Sequence, residues 1–329
     1  MLRLVGYFGL AFCVALLTTP LVRKFALRYR ILARPNHRTV HQGNVPKLGG
    51  GAIFLAFGIG VLATWIFDPL LLKEYLGEVL SLVVGATVLF VMGAFDDKMD
   101  LDCNLKLFIE ILVAVFAASH GWRAETILLP VGGEIDLGIS SYPLTVLWLV
   151  GIANAINMID GLDGLAAGIA IVVSVVTLAI AGLFGNPLVA LLSIILLGAI
   201  AGFLRYNINP ASIFMGDSGS LSLGFVLACI SLNGSSPEPG TSALLVPVIL
   251  LSLPIADSIL AVIRRIRRGI HPFHADREHI HHRLVHLGLS QPGAAMAMIG
   301  ISLIMGIMAF LVAQGIYTDV KFFSHFTVP

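Results

Sequence analysis

Seven of the 19 acidic residues stand out because they lie in short polar segments next to long apolar runs. They are Asp96, Asp97, Asp100, Asp102, Asp160, Asp163 and Asp217. Carboxylates in such positions are either solvated loop charges or ligands of a hard cation. Mg²⁺ is the obvious candidate, because it prefers oxygen ligands and keeps waters and phosphate oxygens as its others. These residue types therefore suit metal-assisted phosphate chemistry.

The adjacent pair Asp96 and Asp97 ends an apolar run, within the segment AFDDKMDLD. The C-terminus of a helix is its negative end, so the pair needs an offsetting cation there, which a metal, Lys98 or Lys106 would provide. Taken alone, the pair is better explained as a solvated loop that stops the run, because exposed charges cost little.

The segment NAINMIDGLDGLAAG, residues 154–168, combines two amides with two carboxylates. Asn154 and Asn157 are three residues apart and share one helix face. Gly161 and Gly164 then break the helix. Helix capping explains one or two of these polar residues but not all of them. A pocket for Mg²⁺ and phosphate oxygens is therefore favoured.

Asp217 lies in FMGDSGSLSLG, where glycines and Ser218 precede another apolar run. The segment predicts a helix N-terminus whose free N–H groups would bind phosphate, with a cation between the phosphate and the carboxylate. Capping by Asp217 or Ser218 is the alternative. Phe214 could stack on a base, although packing is the commoner role of such a residue.

The basic segment from Arg264 to Leu284 ends in a cluster of His279, His281, His282 and Arg283. Zinc binding is disfavoured because no cysteine accompanies the histidines. Hydrogen bonding to phosphate or sugar oxygens suits these side chains better. Asp257, inside the preceding apolar run, is explained equally well by helix packing or by catalysis.

The composition places these segments in a membrane. Of the 329 residues, 57% are apolar and only 12% are charged, which excludes a soluble enzyme or a disordered chain. The pattern predicts an all-α polytopic membrane protein, a single domain over residues 1–329. The predicted spans are about 4–22, 48–66, 77–95, 105–120, 143–158, 165–183, 187–204, 219–233, 242–263 and 294–314. A short hairpin is expected around Gly132 and Gly133.

The basic residues predict the orientation of these ten spans. With both termini outside, the cytoplasmic segments carry 16 of the 20 lysines and arginines. The aspartate segments then lie on the cytoplasmic face. The middles of the spans are nearly free of charge, whereas a transporter would usually carry polar groups at the bilayer midplane. The pattern favours an enzyme with one substrate from the cytoplasm and one in the lipid.

Four motifs together resemble the polyprenyl-phosphate N-acetylhexosamine-1-phosphate transferases, glycosyltransferase family 4. They are the Asp96–Asp97 pair, NxxNxxDGxDG, MGDSGS and HxHH, and their order and sidedness agree with the family across most of the chain. The HIHHRL segment is similar to the WecA/TagO branch, which transfers GlcNAc-1-phosphate from UDP-GlcNAc to undecaprenyl phosphate. The resemblance implies the first membrane step of teichoic acid or O-antigen type synthesis, in the bacterial cytoplasmic membrane. It also allows a homodimer, and nothing in the net charge of +1 suggests a nucleic acid partner.

The resemblance also implies roles for individual residues. Asp217 and Asn157 would hold Mg²⁺, with Mn²⁺ as an alternative. The catalytic carboxylates would be Asp96, Asp97 and Asp160, with the pair next to the lipid phosphate. Lys106 would neutralise phosphate charge, and Asp163 and Phe214 would contact the uracil. The remaining substrate contacts would come from Asn154, His279, His281, His282 and Arg283.

Several alternatives stay open at this point. The same chemistry could act on UDP-MurNAc-pentapeptide or on another UDP-hexosamine, and a lipid-linked sugar transporter is the non-enzyme alternative. A CDP-alcohol phosphotransferase is discounted, because Asp160-Gly161 is followed by Leu162-Asp163 and not by Ala-Arg. Asp97 could attack as a nucleophile, but direct displacement by the lipid phosphate is favoured.

Overall fold

The computed structural model describes residues 2–33, 45–129, 133–234, 241–269 and 278–324. The fold is an all-α polytopic membrane protein, as predicted. Seven helical segments among the described residues are long and apolar enough to cross a membrane. They are Leu2–Arg28, Gly50–Phe67, Leu76–Met99, Gly138–Ile159, Leu165–Phe184, Pro187–Asn207 and Gln291–Thr318. Four histidines lie outside the described residues: His37, His41, His271 and His274.

Helices make up most of the described chain, and three short strands accompany them. The helices are α1 (Leu2–Arg28), α2 (Gly50–Phe67), α3 (Pro69–Glu74), α4 (Leu76–Met99), α5 (Cys103–Ala118), α6 (Ser141–Ile159), α7 (Leu165–Phe184), α8 (Pro187–Asn207), α9 (Gly216–Asn233), α10 (Leu245–Leu250), α11 (Ser252–Arg267), α12 (Ile280–His286) and α13 (Gln291–Ser324). The strands are β1 (Thr126–Leu128), β2 (Glu134–Asp136) and β3 (Thr241–Ser242), and a 3₁₀ turn covers Gly138–Ser140.

The apolar run predicted as a span at 242–263 does not form one continuous helix, because the chain forms two helices there, α10 and α11. The break at Leu251 has a local cause. Pro254 has no N–H to donate, and its ring would clash with the carbonyl of Leu250 in a continuous helix. The apolar run of the sequence is therefore divided between α10 and α11 at Leu251.

Helix α9 forms the centre of the bundle, where it packs against α4, α6, α2 and α7. Every residue from Ser218 to Leu232 is buried, so this helix has no lipid-facing side. Its first turn approaches α2 very closely. A Cβ on Gly50 would lie 2.0 Å from the Cα of Gly219, so only glycine fits at this crossing. The close approach fixes the segment that carries Asp217.

The two ends of the bundle differ in chemistry. The predicted hairpin is confirmed, since β1 pairs antiparallel with β2, although residues 130–132 lie outside the described part of the chain. An unpredicted third strand, β3, pairs parallel with β1. This sheet lies at the C-terminal end of α9, where Asn233 donates to the carbonyl of Gly121. Asp96, Asp97, Asp160 and Asp217 gather at the opposite end.

Candidate active site

Asp97 holds the start of α9 from a neighbouring helix. Its Oδ1 accepts the N–H of Asp217 at 2.9 Å, and its Oδ2 accepts the N–H and the hydroxyl of Ser218 at 3.2 and 2.9 Å. The carboxylate thus acts as the N-cap that the helix lacks in its own sequence. Two expectations are corrected by this contact. Asp97 is not a solvated loop charge, since its side chain is 0% exposed. The N–H groups of Asp217 and Ser218, at the start of α9, are also not free for a phosphate.

Two lysines supply positive charge to the carboxylates at this end of the bundle. Lys106 at the start of α5 bonds to Asp96 at 2.7 Å, and the N–H of Leu101 donates to the same carboxylate. Lys47 lies 3.6 Å from Asp97. Lys47 also interacts electrostatically with Asp217, Asp100 and Asp160. Burial lowers the pKa of Lys47, but these carboxylates outweigh it, and the net pKa is raised.

Backbone pairing places Lys47 at this point. Its N–H donates to the carbonyl of Ile31 at 3.1 Å, and the flanking Pro46 carbonyl accepts the N–H of Phe214 at 2.9 Å. Gly49 and Gly50 in turn donate to the carbonyls of Phe214 and Met215. The segment before α2 is therefore bonded directly to the MGDSGS turn. Phe214, the candidate uracil contact, is partly buried and belongs to this junction.

Asn157 and Asp160 complete the acidic centre from the end of α6. The amide of Asn157 bonds to Asp217 Oδ1 and to Ser220 Oγ, each at 2.8 Å. Asp217 also interacts with the carboxyl groups of Asp96 and Asp97. The pKa of Asp160, at the turn after α6, is raised to about 7 by burial and by the nearby charges of Asp217 and Asp97. The negative charges of these carboxylates thus outnumber the positive charges of Lys47 and Lys106.

The donor set suits a hard cation that shares its ligands with a substrate. Asp217, Ser220 and the nearby Asp96 and Asp97 present oxygen, the donor that Mg²⁺ prefers, and Asn157 carries an amide oxygen besides the NH₂ that it donates. Among the described residues, no cluster of three or more His, Cys, Asp or Glu side chains is placed to hold a metal on its own. Mg²⁺ commonly uses one or two carboxylates together with waters and phosphate oxygens, so such a cluster is not required.

Asn154 and Asp163 form their hydrogen bonds outside this centre, although the charge of Asp163 still acts on Asp160. The amide of Asn154 bonds to the buried Glu110 of α5, although Asn154 is only three residues before Asn157. The Asp163 Oδ2 accepts the amide of Asn209 at 3.0 Å and the N–H of Ala211 at 2.9 Å, so it ties the turn before α7 to the segment after α8.

The histidine segment packs on the same turn. His279 and His281 stack with ring centroids 5.6 Å apart, and His281 and His282 are 4.1 Å apart. His281 is buried beside Gly161, where an added Cβ would lie 2.4 Å from its Nε2. Burial, His282 and His279 lower the pKa of His281 to about 3, so this ring is neutral. Arg283 is exposed and pairs with Glu278 at 3.5 Å.

A large apolar cavity of about 680 Å³ lies between α6 and the α10–α11 pair, and Leu107, the neighbour of Lys106 in the chain, is in its lining. Its lining extends along α6 from Leu144 to Met158, which corresponds to about 21 Å of helix. Asn154 and Arg265 are among its few polar lining residues. The Asn154 partner, Glu110, interacts with Lys106, so the cavity borders the lysine side of the acidic centre.

The motif analysis missed Lys47 and Glu110 as members of the site. Lys47 is present in the basic segment before the glycines of α2, but the sequence holds no sign that this segment bonds to residues 214–215. Glu110 does carry a signal, because a carboxylate inside an apolar span requires a partner.

Comparisons with known proteins agree with this geometry. The model of "Glycosyl transferase family 4" matches residues 79–235. A "Probable undecaprenyl-phosphate N-acetylglucosaminyl 1-phosphate transferase" of Bacillus subtilis is 38% identical, over 94% of this chain and 85% of that protein. The chain belongs to glycosyl transferase family 4.

Other relatives in the family extend over similar lengths. A "Decaprenyl-phosphate N-acetylglucosaminephosphotransferase" of Mycolicibacterium smegmatis is 33% identical, over 97% of this chain and 84% of that protein. An "Undecaprenyl-phosphate alpha-N-acetylglucosaminyl 1-phosphate transferase" of Escherichia coli K12 is 28% identical, over 92% and 80%. The similarity therefore covers the acidic centre and also the histidine segment of this family 4 chain.

Replacing Lys47 tests whether its charge serves the acidic centre. We expect Lys47→Met to lower kcat/KM by about tenfold or more, since removing Lys47 leaves the buried carboxylate of Asp97 without its nearby cation. Lys47→Arg, which keeps the charge, should retain more activity. Lys24→Met, at an exposed site on α1, is the matched control and should resemble the wild type. Wild-type turnover in Lys47→Met would contradict this role.

Proposed function

We propose that this family 4 enzyme transfers GlcNAc-1-phosphate from UDP-GlcNAc to undecaprenyl phosphate. UMP is released, and undecaprenyl-pyrophosphate-GlcNAc remains in the membrane. The observation that carries the proposal is the junction of an acidic, lysine-lined centre with a long apolar cavity. At that junction a water-soluble nucleotide sugar and a lipid phosphate would bind next to each other. The names of three relatives, which each specify N-acetylglucosamine and a polyprenyl phosphate, support it.

Mg²⁺ is the cofactor that we propose for this centre. Asp217 and Asn157 would hold it, and it would neutralise charge on the pyrophosphate of the donor. The carboxylates of Asp96, Asp97 and Asp160 surround Asp217 and raise the local negative potential that attracts a cation. Lys106 and Lys47 contribute fixed positive charge beside the phosphates.

Direct displacement is the mechanism that the contacts of Asp97 favour. An oxygen of the lipid phosphate would attack the phosphorus that carries the sugar, and the bond to the oxygen of UMP would break. Both Asp97 oxygens already accept hydrogen bonds from α9, and the side chain is fully buried, so it is a poor nucleophile. Asp97 instead fixes the helix that presents Asp217. Phosphoryl transfer depends mainly on such positioning and on charge neutralisation.

The apolar cavity is the site that we propose for the polyprenyl tail. Its lining is almost entirely aliphatic or aromatic, with Leu107, Trp148 and Ile259 among the side chains. Its border near Lys106 would place the phosphate of the lipid beside a cation. Donor contacts would then fall to Asp163, Phe214 and the histidine segment on the other side of the centre.

We further propose ten spans, with both termini outside and the acidic centre on the cytoplasmic side of a bacterial inner membrane. Helices α5 and α9 and the α10–α11 pair would supply the three spans beyond the seven long ones. The bias of lysine and arginine supports this orientation. The product would enter teichoic acid or O-antigen type synthesis.

The first test is release of UMP by the purified protein with undecaprenyl phosphate and Mg²⁺. UDP-GlcNAc and UDP-MurNAc-pentapeptide are offered in parallel. We expect turnover of UDP-GlcNAc only, with loss of activity on chelation and in Asp217→Ala. Turnover of the pentapeptide donor alone would overturn the assignment of the sugar, and UMP release from neither donor would contradict the proposed reaction.

Filling the cavity tests the acceptor site separately. Gly151 of α6 lines the cavity and has open space around it. We expect Gly151→Leu to raise the KM for undecaprenyl phosphate severalfold and to leave the KM for UDP-GlcNAc unchanged, because the added side chain takes up space for the tail. Gly182→Leu, at an open position on α7, is the control. Equal acceptor KM values in both variants would place the tail elsewhere.

A further inference from the structure

Asp257 makes two contacts that connect α11 to the histidine segment. Its Oδ2 lies 2.8 Å from Nδ1 of His279, and its Oδ1 accepts the N–H of Ile280 at 2.8 Å. Asp257 is 1% exposed and His279 is 6% exposed, so water does not compete for these bonds. One carboxylate therefore fixes both the first turn of α12 and the ring that precedes it.

The contact with Asp257 also determines the role of each ring nitrogen of His279. An ionised carboxylate only accepts hydrogen bonds, so Nδ1 must carry the proton that it donates to Oδ2. The other nitrogen, Nε2, is then available as an acceptor, or as a donor when the ring is charged. Helix packing alone would not require a particular tautomer.

The histidine stack connects Asp257 to the turn beside the acidic centre. The His279 ring lies parallel to that of His281, with only 3° between the two planes. His281 in turn fills the space beside Gly161, next to Asp160. The Asp257 carboxylate is thus the buried anchor of a stack that ends on the turn bearing a candidate catalytic residue.

We propose that Asp257 is a positioning residue for the donor substrate. It would hold the Nδ1 proton of His279, so that Nε2 faces the phosphate or sugar oxygens of the nucleotide sugar, and it would seat the stack on Gly161. The proposal rests on the proposed function for the identity of the donor. It concerns a residue whose role the motifs leave open.

Asp257→Asn separates the charge of this residue from its size. The amide oxygen can still accept the N–H of Ile280, but its NH₂ group faces Nδ1 and favours the other tautomer of His279. We expect the KM for UDP-GlcNAc to rise by about tenfold or more, since a lost hydrogen bond to a charged group has an effect of this order. The KM for undecaprenyl phosphate should stay unchanged, and Asp257→Glu should recover part of the loss.

Asp68→Asn is the matched control, because it makes the same substitution at a carboxylate that binds Tyr7 on α1. It should keep wild-type kinetic constants. A fall in kcat with both KM values unchanged in Asp257→Asn would mean only a smaller folded fraction and would overturn the proposal. Unchanged kinetics in that variant would overturn it as well.

Nitrogen NMR of ¹⁵N-histidine-labelled protein provides a readout independent of turnover. His279→Gln assigns the signal of His279. We expect a protonated Nδ1 in the wild type and a changed tautomer in Asp257→Asn, whereas an unprotonated Nδ1 in the wild type would overturn the proposal. If the wild type releases no UMP from UDP-GlcNAc, the proposed function fails, and the spectrum still decides the link between Asp257 and His279.

Discussion

Mutual repulsion among buried carboxylates is the constraint on which this structure depends. Asp96, Asp97, Asp160 and Asp217 share one end of the bundle, where burial weakens the screening of their charges. Fixed groups balance part of this charge. Asp97 accepts the N–H groups of α9, Asp96 accepts Lys106, and Lys47 reaches several of them. The remaining deficit of positive charge near Asp160 and Asp217 would supply the affinity for the cation that we propose. The fold therefore fixes the positions of these charges without help from a substrate.

The proposed division between donor and acceptor follows from how α6 ends. Asn154 turns toward Glu110 and the apolar cavity, while Asn157, three residues later, turns toward Asp217. A single turn of α6 thus separates the apolar cavity from the polar acidic centre. The histidine stack closes the polar side against Gly161, and α11 supplies both a wall of the cavity and the Asp257 anchor of that stack. Movements of α11 would therefore affect both substrates.

Much of the fold could be predicted from hydropathy, because a span needs only a long apolar run, and every predicted span coincides with one or two helices. The strand β3 could not, since it depends on pairing with distant residues, whereas Pro254 did carry a local signal for the break at Leu251. The candidate site shows the same limit. The motifs identified Asp97 and Asp217, but the cap that joins them crosses 120 residues of chain. Asp97 therefore resembled a solvated charge, and no motif connected Lys47 with the site.

Direct binding of a divalent cation tests the central claim, that the acidic centre around Asp217 is built to hold charge for phosphate transfer. Mn²⁺ can replace Mg²⁺ as a paramagnetic probe, and its electron paramagnetic resonance signal reports binding without turnover. With UDP-GlcNAc present, we predict saturable binding by the wild type that is lost in Asp217→Asn and kept in Asp68→Asn. Binding that is equally strong in Asp217→Asn would contradict the account.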